Sequence, residues 1–364
     1  MSKQSPAISN QQGMEILSRL VLSPIMDPAA GVDPLGQLNR EQFDALLKLA
    51  HSNHVIVRAM EVYRARMLEV NDVERAQWAA EAIAAERGRI RLALVHLQKI
   101  VDAFHVANFD VTVIKTLDHW PDFGSDMDLY THTSPVKVIE LMRKTFHAEI
   151  AQRSWGDRLA GKWNFVIPDL PEPVEIHMCR LGQTGEQRKI AANVPARSRT
   201  TTVDEMTFPI TSACERILIS TLQRMYRHFY FRLCDIVDSA QLVRSGALDF
   251  QELRRSAQES DIWEGTATYL VLVSDYVTRY TGEGLELPEF VKSDARFDGR
   301  AMYCGGSFLR VPIMPQSVRL YGEQLLGTLK KGEIVDGARL GLLPWLATAA
   351  AIGYRITGSD KGIW

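Results

Sequence analysis

A chain of 364 residues, 46% of them hydrophobic, has the apolar mass for two or three structural units, which excludes a tail or a linker. Its 42 Lys and Arg stand against 44 Asp and Glu, and the resulting net charge of -2 supplies no global field to hold a long DNA or RNA by phosphate neutralisation. The scattered cysteines Cys179, Cys214, Cys234 and Cys304, in mostly apolar surroundings, read as reduced core thiols rather than as a disulfide framework or a zinc site.

Residues 1–12 are polar and lack the charged start and apolar run of a secretory signal, so a cytoplasmic protein is expected. From residue 40 to about 106, Phe43, Leu46, Leu47 and Ala50, then Ile90, Leu92, Leu94, Leu97, Ile100 and Val101, recur at mostly three- and four-residue steps. This spacing predicts a helical N-terminal region over residues 1–105. After Phe109 the texture changes to short β-branched runs broken by Pro, Gly and Asp. Strands are predicted over 110–114, 126–130, 164–167 and 174–178, with a helix over 135–146 that has Ser134 as N-cap and Pro135 at its first position. Residues 106–205 therefore read as a small α+β unit holding the only sheet.

Ser212 followed by Glu215 predicts a capping box, opening one long helix on which Leu218, Leu222, Met225, Phe229, Leu233, Ile236 and Ala240 keep the helical step. Helical patterns at 265–280, 315–329 and 340–354 complete a helical C-terminal domain over 206–364. Its most apolar run, 340–352, holds Pro344 and falls short of the roughly 20 residues that cross a bilayer as a helix, so a buried helix and no membrane span are expected.

Asp126 and Asp128 are two apart on a predicted strand, so both carboxylates project to one side while Met127 and Leu129 face the core. Adjacent carboxylates repel, and a divalent cation resolves the conflict; magnesium, with manganese as an alternative, prefers such oxygen ligands together with substrate phosphates. The strand at 174–178 alternates Val174, Ile176 and Met178 with Glu175 and His177, and so offers a third carboxylate with a histidine on the same face. Three carboxylates from two adjacent strands are enough to hold two metals, one at the attacking oxygen and one clamping a triphosphate.

In these motifs the chain resembles the polymerase β-like nucleotidyltransferase superfamily, and within it the group called uncharacterised nucleotidyltransferases. The matching residues are Lys115 and Thr116 after the first strand, the run Gly124, Ser125, Asp126, Met127, Asp128 and Leu129, and Val174 to His177, with Arg232, Leu233, Asp235 and Ile236 similar to an element that follows the family's palm. The resemblance implies a small mixed β-sheet nucleotidyltransferase palm flanked by helical regions. It implies Asp126, Asp128 and Glu175 as catalytic metal ligands, and Lys115, Thr116, Ser125 and His177 as contacts to a nucleoside triphosphate such as ATP. The implied reaction moves a nucleoside monophosphate to an acceptor and releases pyrophosphate. Glu175 is a candidate to accept the acceptor's proton. A small-molecule acceptor is favoured over a protein or tRNA, because the net charge is near neutral. Where the family has a turn glycine this chain has Thr116, whose side chain keeps the backbone further from a phosphate. That departure is the feature supporting the rival reading, a degenerate palm that binds nucleotide or a partner protein without turnover.

Arg180, Arg188, Lys189, Arg197 and Arg199 crowd the stretch after this strand, as a basic loop able to close over a triphosphate or as a solvated one. Arg224, His228, Arg232 and Asp235 form a polar stripe on the predicted long helix, either facing a nucleotide or making surface ion pairs. Trp120 and Phe123 read as stacking or packing aromatics. His177 and Cys179 project in parallel, with no oxyanion site nearby, and do not read as a base and nucleophile.

Overall fold

The computed structural model describes residues 8–22, 38–181 and 187–357. Helices come first: α1 (Asn10–Leu22), α2 (Arg40–Ser52), α3 (Ile56–Glu69) and α4 (Val73–Val106). A mixed segment follows, with β1 (Thr112–Val113), β2 (Met127–Thr131), α5 (Pro135–Phe146), β3 (Glu149–Ile150), α6 (Trp155–Ala160), β4 (Lys162–Val166), β5 (Val174–Met178), α7 (Gln187–Ala196), β6 (Arg199–Val203) and β7 (Met206–Ile210). The remainder holds α8 (Ala213–Tyr226), β8 (Tyr230–Phe231), α9 (Leu233–Arg244), α10 (Phe250–Glu259), α11 (Trp263–Thr281), α12 (Glu289–Asp294), β9 (Tyr303–Gly305), β10 (Phe308–Arg310), α13 (Val318–Lys330) and α14 (Ile334–Thr357). The fold is α+β, with a seven-stranded mixed sheet ordered β3-β4-β5-β2-β1-β7-β6 and a three-stranded sheet ordered β8-β10-β9.

Alternation in two short strands fixes the centre of the larger sheet. β2 and β5 pair in parallel, with Asp128 beside Glu175 and Tyr130 beside His177. Their apolar positions Met127, Leu129, Val174, Ile176 and Met178 all turn to the other face and bury against Ile90, Leu94, Leu97, Val101 and Phe104 of α4 and Val138 and Met142 of α5. Each such side chain contributes about 1.5–3 kcal/mol when fully buried, so the sheet is anchored by one face and its polar face is left for other work. A second apolar cluster joins α1, α2 and α3 to α8, α9 and α11 on the far side of that polar face.

Several expectations are corrected. The sheet extends past residue 178 through the β6–β7 hairpin, whose turn residues Asp204 and Glu205 both have positive φ, at 51° and 68°. Hairpin turns of that hand usually carry Asn or Gly, which is why the sequence gave no turn signal. The predicted long helix from residue 212 is two helices, α8 and α9, separated by a reversal in which Phe229 takes φ 54° and Tyr230 and Phe231 pair with β10. Aspartate at the third position of α9 holds the restart, with Asp235 Oδ2 accepting from Arg232 N at 2.7 Å. α5 starts at Pro135 as expected, yet Ser134 makes no side-chain cap bond. Ser212 likewise caps no backbone group; its hydroxyl donates to the carboxylate of Glu215. In α14, Leu340 is buried while Leu342 and Trp345 are exposed at 56% and 74%, so the first half of that helix is not the buried element expected. Among the described residues no helix is long and apolar enough to cross a membrane.

Candidate functional site

The chain leaves β1 through a tight reversal that sets the first functional side chain. Lys115 has φ 59° and ψ -51°, and Thr116 N donates to Ile114 O at 2.5 Å, the closure of a three-residue γ-turn. This hand of γ-turn is rare and strained for a side-chain-bearing residue, and such strain is concentrated at functional positions. Two bonds hold it against β2: Ile114 N donates to Asp128 O at 3.0 Å, and Asp128 N donates to the buried Thr116 Oγ1 at 2.7 Å. Thr116 thus braces the acidic strand with its hydroxyl.

The parallel register then brings the site together. Lys115 Nζ contacts Asp128 Oδ1 and lies 3.7 Å from Glu175 Oε1. His177 Nε2 is 2.8 Å from Glu175 Oε1 and 3.5 Å from Asp128 Oδ1, while Lys162 Nζ reaches Glu175 Oε2 at 2.6 Å from the antiparallel neighbour β4. Burial pushes the Asp128 carboxyl up to about 7 against the pull of Lys115, with Asp126 and Glu175 adding to the rise. Burial also pushes Glu175 upward, but Lys115, His177 and Lys162 outweigh it and hold that carboxyl well below its ordinary range. One strongly ionised acid beside one that retains a proton near neutrality is what two close carboxylates with limited compensation produce.

Asp128, Glu175 and His177 each present a ligand atom within 4.8 Å of the others. His177 Nδ1 is buried without a hydrogen-bond partner, and Asp128 Oδ1 is buried with the Lys115 ammonium against it. Two carboxylates and an imidazole fit a small divalent cation, and the ammonium of Lys115 now stands at the charge centre such an ion would take. Asp126 is placed differently from its partner. It precedes β2, is partly exposed, and falls outside the converging set, although its charge still acts on both Asp128 and Lys115. Ser125 is exposed and bonds only to Asp126 Oδ1, at 3.4 Å.

All these residues line one cleft of about 470 Å³ between the polar face of the sheet and helices α8 and α9. Its opposite wall carries Arg224, His228, Arg232 and Asp235, the polar stripe seen in the sequence, together with Arg227, gathered where α8 gives way to α9. Arg224 is 4% exposed and ion-paired to Asp235 at 2.8 Å, so this part of the stripe is neither a surface ladder nor mobile. Burial, then Arg224 and Arg227, push the His228 imidazole down to about 3, which keeps it neutral at ordinary pH.

The basic stretch after β5 goes elsewhere. Arg197 pairs with Glu215 at 3.0 Å and Glu252 at 3.1 Å, Lys189 pairs with Glu333 at 2.9 Å, and neither these nor Arg180 and Arg199 line the cleft. The Arg188 side chain lies outside the described residues. Phe123 is buried against Arg89, and Trp120 is 39% exposed. Cys179 is exposed rather than a core thiol. Sequence reasoning missed Lys162, whose only signal was a basic residue at the start of a strand facing Glu175. It also missed His54 and His119, which reach the cleft from a helix junction and a turn. No family model matches the chain, and no curated protein matches it.

Proposed function

We propose that the protein is a metal-dependent nucleotidyltransferase whose seven-stranded sheet acts as a palm. The observation that carries the reading is the cross-strand pair Asp128 and Glu175, backed by His177, facing Arg224, Arg227 and Arg232 across a single cleft. Acids on one wall and guanidiniums on the other suit a triphosphate with its cation, since one wall holds the ion and the other the phosphate oxygens. A bound divalent cation would neutralise charge on the triphosphate and polarise the phosphorus under attack.

Asp128, Glu175 and His177 would hold that cation. With Asp126 outside the converging set, the site supports one tightly held ion in place of the pair suggested by the sequence. Lys115, displaced from the acids by the ion, has the reach of a long flexible ammonium to move onto a phosphate oxygen. The arginines of α8 and of the reversal before α9 bind the β and γ phosphates and stabilise pyrophosphate as its bond to the α-phosphorus breaks. Glu175, held by His177 and Lys162, would serve as a ligand and is the candidate to accept the acceptor's proton. The cleft volume suits a nucleotide and a small acceptor better than a macromolecular end.

A second reading is favoured by Lys115 itself. An ammonium seated between the acids is an internal substitute for a cation, and it suits a palm that binds nucleotide without turnover. One assay separates the two: incubate the chain with α-labelled nucleoside triphosphates, magnesium or manganese and a panel of hydroxyl acceptors, and follow label transfer and pyrophosphate. Transfer in the parent, lost in Asp128→Asn, supports the enzyme. Metal-dependent binding without pyrophosphate supports the degenerate palm, and neither binding nor release in any combination sinks both.

A further inference from the structure

Beside the acidic site, two histidines of the same cleft meet a cysteine buried behind its wall, a group of ligand-type side chains that the proposed transfer reaction does not use. His54 comes from the α2–α3 junction, His119 from the turn after Lys115, and Cys234 from the first turn of α9, and each presents a ligand atom within 4.8 Å of the others. His119 Nε2 is 3.9 Å from Cys234 Sγ, and its Nδ1 is 2.5 Å from Asp238 Oδ2. Asp238 is in turn fixed by Arg58 at 2.7 Å. His54 is 8% exposed, and its Nδ1 is buried with no hydrogen-bond partner. A buried imidazole nitrogen left unpaired is a destabilising feature that a bound ligand would relieve.

The order Cys234, His119, Asp238 resembles a nucleophile, base and orienting acid. Cys234 is fully buried and does not line the cleft, so no substrate carbon or phosphorus can reach its sulfur. A metal ion needs no such approach. A thiolate and two imidazoles are the donors of a borderline-soft cation, and a carboxylate on the far nitrogen of a ligating histidine is the usual outer partner of such a site.

We propose that His54, His119 and Cys234 form a binding site for a zinc-class divalent cation, with Asp238 orienting His119 and an open coordination position toward the cleft. Arg58, Arg216 and Arg224 are each paired with an aspartate, which offsets their charge, while Arg232 acts against a cation here. This site is separate from the hard, oxygen-rich pair at Asp128 and Glu175, but it borders it. A Cβ placed on Gly124 would lie 3.7 Å from both Asp126 Oδ1 and His54 Cε1.

The test is a cobalt titration of the chelator-treated full chain, read by absorption spectroscopy. A saturable thiolate-to-cobalt charge-transfer band with tetrahedral ligand-field bands is expected, lost in Cys234→Ser and kept in Cys214→Ser. Asp238→Asn should retain the band while weakening cobalt affinity about 10–100-fold. Absence of any thiolate band in the parent, or its persistence in Cys234→Ser, would overturn the proposal. Neither result depends on nucleotide binding or turnover.

Discussion

The ammonium of Lys115 and the carboxylate of Asp128 form a buried ion pair, 18% and 6% exposed, held in place by the γ-turn at Lys115 itself. Removing one partner of such a pair leaves the other charge uncompensated, at a cost of about 3–5 kcal/mol. Lys115→Met keeps the length and loses the charge, so chemical denaturation should show a loss of that order in metal-free buffer. Added magnesium or manganese should restore more stability to the variant than to the parent, because a bound cation then supplies what Lys115 did. Equal responses of the two chains to the cation would show that the acids do not gather an ion.

Thr116 offers a second test that needs no ligand. Its Oγ1 accepts from the Asp128 N–H at 2.7 Å in a buried setting. Thr116→Val preserves shape and removes the acceptor, so stability should fall by about 1–3 kcal/mol, while Thr116→Ser should stay close to the parent. Urea denaturation of the three chains measures this. A neutral Thr116→Val would mean that the hydroxyl does not brace the strand.

Asp122 supplies a pH dependence outside the acidic pair Asp128 and Glu175. Its carboxyl is 1% exposed, accepts from Val57 N at 2.6 Å, and is pushed up to about 7 by burial, against the pull of Arg58. The native state then keeps a proton between about pH 4 and 7 that the unfolded chain releases, so this group's contribution to stability falls as pH rises through that window. Between pH 5 and 8 the loss amounts to roughly 2.5 kcal/mol. Asp122→Asn, which retains an acceptor for Val57, should flatten that part of the pH profile in denaturant titrations. An unchanged profile would place the ionised form in the native state throughout.

Much of the site was legible because strand alternation is a local rule. Glu175 and His177 share a face by spacing alone, and Asp128 follows from the apolar neighbours Met127 and Leu129. What the sequence cannot give is which strands become neighbours: the parallel register that sets Asp128 beside Glu175, and the β4 partner that brings Lys162, are products of the fold. Asp126 illustrates the limit from the other side, since a strand starting one residue later than its pattern suggested leaves it at the cleft edge. The break between α8 and α9 was hidden because Phe229 and Leu233 sustain a helical apolar step across a reversal that positive φ at Phe229 permits. His54, His119 and Cys234 come from three distant segments and carry no spacing signal at all.

Calorimetric titration of a nonhydrolysable nucleoside triphosphate analogue into the parent chain and into Glu175→Gln, each with and without manganese, bears most directly on the acid pair as a cation-dependent triphosphate site. The expected result is tight binding to the parent only when manganese is present, and at least a tenfold weakening in a Glu175→Gln chain that melts normally. Binding of equal strength in all four conditions would contradict it.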